Sequence, residues 1–112
     1  MTKTETKTTK RTAPKQSGTN LKLGQTVVTA GVAHMLEQKF LVPEAIIGPM
    51  IDRHRTGDWG ELDSEDWAMN DKAVETGQDR VLSAYLLADD TKVWIITEWD
   101  RSVTTILLPE EY

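Results

Sequence analysis

The sequence predicts an α+β protein: a short N-terminal strand, about three helices, then a three-stranded antiparallel meander, all behind a disordered basic tail. Three observations predict it. Between residues 30 and 76, apolar side chains recur at helical spacing and are punctuated by Gly and Pro. Between residues 81 and 108, three apolar, β-branched runs are joined by connections too short for anything but antiparallel pairing. Residues 1–20 are mostly Thr, Lys, Gly, Ser and Pro, with almost nothing to bury against the entropy of ordering. A chain of 112 residues then holds a single domain, over residues 21–112.

Taken in order, Leu21 to Val28 alternates and ends in two valines, which suits a short edge strand. Thr29 is an N-cap candidate for a helix over 30–38, in which Val32, Met35 and Leu36 share one face and Gly31 weakens the first turn. Pro43 opens a helical turn through Ile46 and Ile47. Gly48-Pro49 is expected to break it, with a second short helix from Met50 to Arg55 that Gly57 stops. Asp63 or Ser64 caps a third helix running to about Thr76, and Gly77 ends it. The strands follow at 81–87, 92–99 and 103–108, where Pro109 stops the last one.

The charge is divided. Residues 1–22 carry six Lys or Arg against one Glu, a net of +5; residues 23–112 carry seven against seventeen Asp or Glu, a net of −10. An acidic body favours a basic protein partner, while the basic tail suits weak contact with nucleic-acid phosphates. The absence of cysteine excludes disulfides, thiolate metal sites and cysteine nucleophiles, and fits a reducing, cytoplasmic setting. No apolar run reaches membrane-span length, and no apolar segment follows the N-terminal charges as a secretory signal requires. No phosphate loop, dinucleotide fingerprint or nucleophile elbow occurs, and the acids from Asp58 to Asp66 do not follow calcium-loop spacing, so no metal or cofactor is expected.

Two stretches concentrate chemistry. The first is Arg53 to Glu61, which holds His54, two arginines, Asp58, Trp59 and two glycines. His54 at a helix C-terminus, with Asp58 four residues on, is either a general acid or base or a brace held by ion pairs. Trp59 is either a loop anchor or a stacking platform. The second is the hairpin tip from Thr97 to Thr105, with Glu98, Asp100 and Arg101. Set beside His54, Glu98 and Arg101 would supply the base and phosphate clamp of a metal-independent ribonuclease. Read instead as surface, Arg53, His54, Asp58, Trp59, Glu61, Asp63, Asp100 and Arg101 form a binding face of acids, cations and one indole.

The run Arg53-His54 followed by Gly57-Asp58-Trp59-Gly60-Glu61 resembles a set of small proteins from bacterial plasmids, phages and integrated elements. So do Glu65-Asp66, Asn70-Asp71, Arg80 to Tyr85, Trp94 to Glu98, Asp100 to Ser102 and Thr104 to Tyr112, and the opening Leu23-Gly24-Gln25 with Thr29. Members carry labels such as "plasmid-related protein" or "type I restriction endonuclease subunit M". A methyltransferase needs a cofactor-binding α/β domain, which this pattern does not provide. The resemblance therefore implies an accessory role beside restriction or defence genes. The expectation is a non-enzymatic accessory protein that binds a host or mobile-element protein or nucleoprotein, with the ribonuclease as the alternative.

Overall fold

The computed structural model describes residues 19–112; the tail expected over residues 1–20 lies, but for its last two residues, outside them. The element order is β1 (Gln25–Val28), α1 (Ala30–Gln38), α2 (Pro43–Arg55), α3 (Ser64–Thr76), β2 (Val81–Leu86), β3 (Lys92–Thr97) and β4 (Val103–Leu107), closed by a 3-10 turn at Pro109–Glu111. The class is α+β, as the periodicities predict. No helix among the described residues is long and apolar enough to cross a membrane.

The sheet corrects one expectation. It is a mixed four-stranded sheet in the order β1-β4-β3-β2, not a separate meander. β2, β3 and β4 pair antiparallel in sequence order, but β1 runs parallel to β4, with Val28 opposite Ile106. The strand also starts at Gln25 rather than Leu21. Its partner lies about eighty residues away in the chain, and no local signal specifies so distant a pairing. Leu21 is buried instead in a small cluster with Trp59, Trp67, Ala73 and Val81.

A second correction concerns Gly48-Pro49. Pro43 to Arg55 is one continuous helix with Pro49 inside it. The ring of Pro49 is exposed and Gly48 is open to space around its Cα, so the ring has room and only one backbone hydrogen bond is forgone. Tertiary packing of Ile47 and Met50 holds the helix across the interruption.

α1 and α2 cover one face of the sheet. Val32, Leu36, Ile47 and Met50 meet Tyr85, Leu87, Val93, Ile95 and Ile106 in the main core. Thr29 caps α1 through Val32 N–H, as its position predicts. Beside Gly31 lies the end of the Glu111 side chain, whose carboxylate accepts from Thr29 Oγ1 at 2.8 Å and Leu108 N–H at 2.7 Å. The chain's last turn is thereby tied to the start of α1.

α3 closes the β2 edge. Asp63 caps it through Asp66 N–H, and Gly77 ends it in the left-handed conformation. On its buried side, Asn70 donates to Leu82 O at 2.7 Å and accepts from Leu82 N–H at 3.3 Å. Further along the edge, Ala84 pairs with the loop: its N–H reaches Trp59 O and its carbonyl accepts from Glu61 N–H. Gly60 is required at this bridge, because a Cβ would strike the Ala84 carbonyl and the Tyr85 ring.

α1 ends less comfortably. Its terminal carbonyls at Glu37 and Leu36 accept from Phe40 and Leu41 N–H, a left-handed cap in which Phe40 takes φ of 58°. Glycine is the usual residue at that place, and a side chain there costs about 1 kcal/mol.

Candidate functional site

The nine residues from Arg53 to Glu61 all find structural partners, and His54 finds the deepest. It lies in the last turn of α2, on the same face as Ile47 and Met50, and is fully buried. Its Nδ1 is 2.6 Å from Ser83 Oγ, and its Nε2 is 2.9 Å from Thr97 Oγ1. Thr97 Oγ1 is 2.7 Å from Thr104 Oγ1, which donates to Leu23 O at 2.7 Å.

For a neutral ring this chain has one consistent proton order. Thr104 has a single proton and gives it to Leu23, so it accepts from Thr97. Thr97 then has no proton left for His54 and accepts from Nε2–H. Nδ1 is left as acceptor for the Ser83 hydroxyl. The neutral imidazole is therefore the Nε2–H tautomer, with both nitrogens satisfied. Burial, followed by the positive charge of Arg101, drives its pKa from the ordinary 6.5 down to about 3. Trp59 packs against the ring edge-on at 5.7 Å between centroids.

The pairing of His54 with Asp58 is not formed. Asp58 instead receives Arg53, whose Nε donates at 2.8 Å and Nη2 at 3.2 Å, and it accepts from Gly60 N–H. This carboxylate holds the Arg53 guanidinium above its ordinary pKa. Arg53 also lies over the Tyr85 ring at 4.6 Å. Tyr85 donates to Asp58 O at 2.7 Å, and burial pushes its phenol well above the ordinary range. Trp59 is the anchor of the two readings open to it: it is fully buried and donates to Asp71 at 2.8 Å.

The acid, base and phosphate clamp do not come together. Arg101, in a left-handed turn position, aims its guanidinium at backbone carbonyls of Asp79, Ala73, Glu98 and Trp99, at 2.7 to 3.3 Å. It pins the hairpin tip to the end of α3. Glu98, half-buried, uses its backbone N–H on Val103 O. With His54 sealed by Ser83 and Thr97, neither residue has a ring nitrogen to meet.

What remains outside is different in kind. Glu61 and Asp63 are exposed, and Asp100 is exposed while holding Ser102 through N–H and Oγ. The sequence reading also missed several large exposed apolar side chains, among them Phe40 after α1, 95 % exposed, Met69 and Tyr112, and Trp99 at the hairpin tip, 65 % exposed. The signal for Phe40 was its place after a helix where glycine usually stands. For His54 the signal was Ser83, Thr97 and Thr104 at inward positions of apolar strands, where hydroxyls need a buried polar partner. Among the described residues, no three His, Asp or Glu side chains gather in a way that could hold a metal ion. No family model, curated protein or solved structure matches the chain.

Proposed function

We propose that the chain is an accessory protein of a mobile genetic element that works by binding a protein or nucleoprotein, and that its target is a host defence system. The observation that carries the binding reading is an inversion. The reactive side chain, His54, is locked inside, while Trp99 and Phe40 stand outside on an acidic body. Exposed aromatics are the commonest anchors of protein interfaces, and surrounding carboxylates select a basic partner. The mobile-element part of the reading is supported by the sequence resemblance over residues 21–112. In this reading the basic tail adds weak contact with nucleic acid.

The test is recovery of complexes from host lysate on the immobilised protein, with and without nuclease. A defence complex retained after nuclease treatment is expected. No recovered partner, together with RNA cleavage that His54→Ala abolishes, would overturn the reading in favour of a ribonuclease. Deleting residues 1–20 is expected to weaken nucleic-acid binding at low salt; unchanged affinity would remove the tail from the account.

A further inference from the structure

Two surfaces are left open by the fold, and only one of them dictates what covers it. A groove runs along α2, between Ile46 and Pro49 on one side and Leu86 and Leu87 on the other. Charges of both signs line it, and they select no one occupant. The outer edge of β1 is different, because a row of unpaired backbone groups is matched by another extended backbone.

β1 lies at one end of the sheet and pairs on one side only, parallel to β4. Gln25 N–H donates to Ser102 O and Thr29 N–H to Ile106 O, both at 3.0 Å, so Gln25, Val27 and Thr29 are turned toward β4. Thr26 and Val28 are therefore turned outward. Among the described residues, their N–H and C=O groups have no partner. The edge also lacks the usual guards: Gln25 to Val28 holds no charge and no proline, and its register with β4 is unbroken by a bulge. Val28 is 43 % exposed, although it stands opposite the core residue Ile106. The far edge of the sheet is treated otherwise. There Asn70 bonds both backbone groups of Leu82, and Trp59 and Glu61 bond those of Ala84.

Charge says which strand arrives. From residue 6 to residue 36 the sequence has no Asp or Glu, so this edge belongs to the acid-free stretch of an acidic body. Two such bodies repel least where they meet along it. Residues 1–22, with a net charge of +5, lead into the N-terminal end of β1. Glu111, which accepts from Thr29, and Glu110 lie at its C-terminal end. Antiparallel pairing of two copies sets the N-terminal end of each β1 beside the C-terminal end of the other, so positive and negative ends meet twice. Parallel pairing would set like ends together. A two-fold axis at Val27 matches Thr26 of one copy with Val28 of the other, and the two pairs exchange about four backbone bonds.

We propose that β1 is the two-fold interface of a homodimer, in which the strand pairs antiparallel with β1 of a second copy and joins two four-stranded sheets into one. The paired stretch is short, so the dimer forms and parts with concentration. The edge shares no residue with Trp99 or Phe40. It therefore adds to the binding reading without resting on it, and a dimer carries that binding surface twice.

The experiment is sedimentation of the full-length protein from about 1 μM to about 1 mM. The mass is expected to rise from one chain to two. Thr26→Pro removes an outward N–H that bonds nothing among the described residues, so it leaves the β1–β4 ladder whole. It is expected to weaken the dimer at least about tenfold. Thr26→Lys, at an exposed position, puts a charge on the edge and is expected to do the same. Amide exchange reads the strand itself: Thr26 and Val28 are expected to slow as the dimer fills, and Val28 to stay fast in both variants.

A single-chain mass at every concentration would overturn the proposal. So would a dimer of unchanged strength in both variants, which would place the contact elsewhere. If Thr26→Pro unfolds, Thr26→Lys carries the test alone. Protection of both amides only when a lysate partner is added, with the chain alone monomeric, would give the edge to a foreign strand and overturn the second copy. The binding reading fails separately, when the wild type recovers no complex from lysate.

Discussion

The interior around His54 and the groove along α2 invert the usual distribution of side chains. In the first, a titratable ring and three hydroxyls are sealed from water. In the second, apolar side chains face it. The interior tolerates its polar groups because every one has a partner, from Ser83 through His54, Thr97 and Thr104 to the Leu23 carbonyl. The groove has no such internal answer. A reactive residue type marks function only when its bonding capacity is left open. His54 has none left, and Phe40 has a whole ring.

The comparison breaks most visibly at His54. His54→Ala removes a buried ring and orphans the Ser83 and Thr97 hydroxyls, so a loss of about 3 to 5 kcal/mol is expected in chemical denaturation. A loss below about 1 kcal/mol would mean that the network is not structural. Acid tests the same residue without mutation. The unfolded chain takes up this proton near pH 6.5, and the folded chain only near 3. Protonation therefore favours unfolding. The stabilisation is complete above pH 6.5, falls as pH drops, and is gone by about pH 3, a change on the order of a few kcal/mol. Melting temperature should decline through that window in the wild type and decline less in His54→Gln.

Arg101 ranks next. Arg101→Ala frees the carbonyls at the end of α3 and in the hairpin tip, and a loss of about 2 kcal/mol is expected. Arg101→Lys should recover little of it, since one ammonium cannot span the same fork of acceptors. A variant with full stability but altered nucleic-acid cleavage would return Arg101 to the clamp role. The smallest effect has the opposite sign. Phe40→Gly should raise stability by about 1 kcal/mol, because the left-handed cap no longer carries a side chain. Destabilisation instead would show that the Phe40 ring packs on the fold and is not held out for a partner.

Local signals carried much of this architecture. The caps at Thr29 and Asp63, the stop at Gly77 and the two hairpins were legible because each rests on residues a few positions apart. The helix across Pro49 was not, since the packing that overrides the proline lies in other elements. Nor was the parallel pairing of β1 with β4, for the same reason of distance. The fate of His54 was half legible. Strand alternation put Ser83, Thr97 and Thr104 on the inward face, but which residue would meet them depended on how α2 lies across the sheet. Arg53 to Glu61 was rightly singled out as a dense stretch. Its density serves the joint between α2, the β2 edge and the core, through Gly60 at the bridge and Trp59 beneath it.

The most direct test is the protonation of His54, read from its ring nitrogens by NMR across pH 4.5 to 8. The expected result is a neutral ring throughout, with the proton on Nε2 and Nδ1 bare as the Ser83 acceptor. A ring that titrates near its ordinary pKa, or carries its proton on Nδ1, would contradict the sealed network and reopen His54 as an acid–base residue.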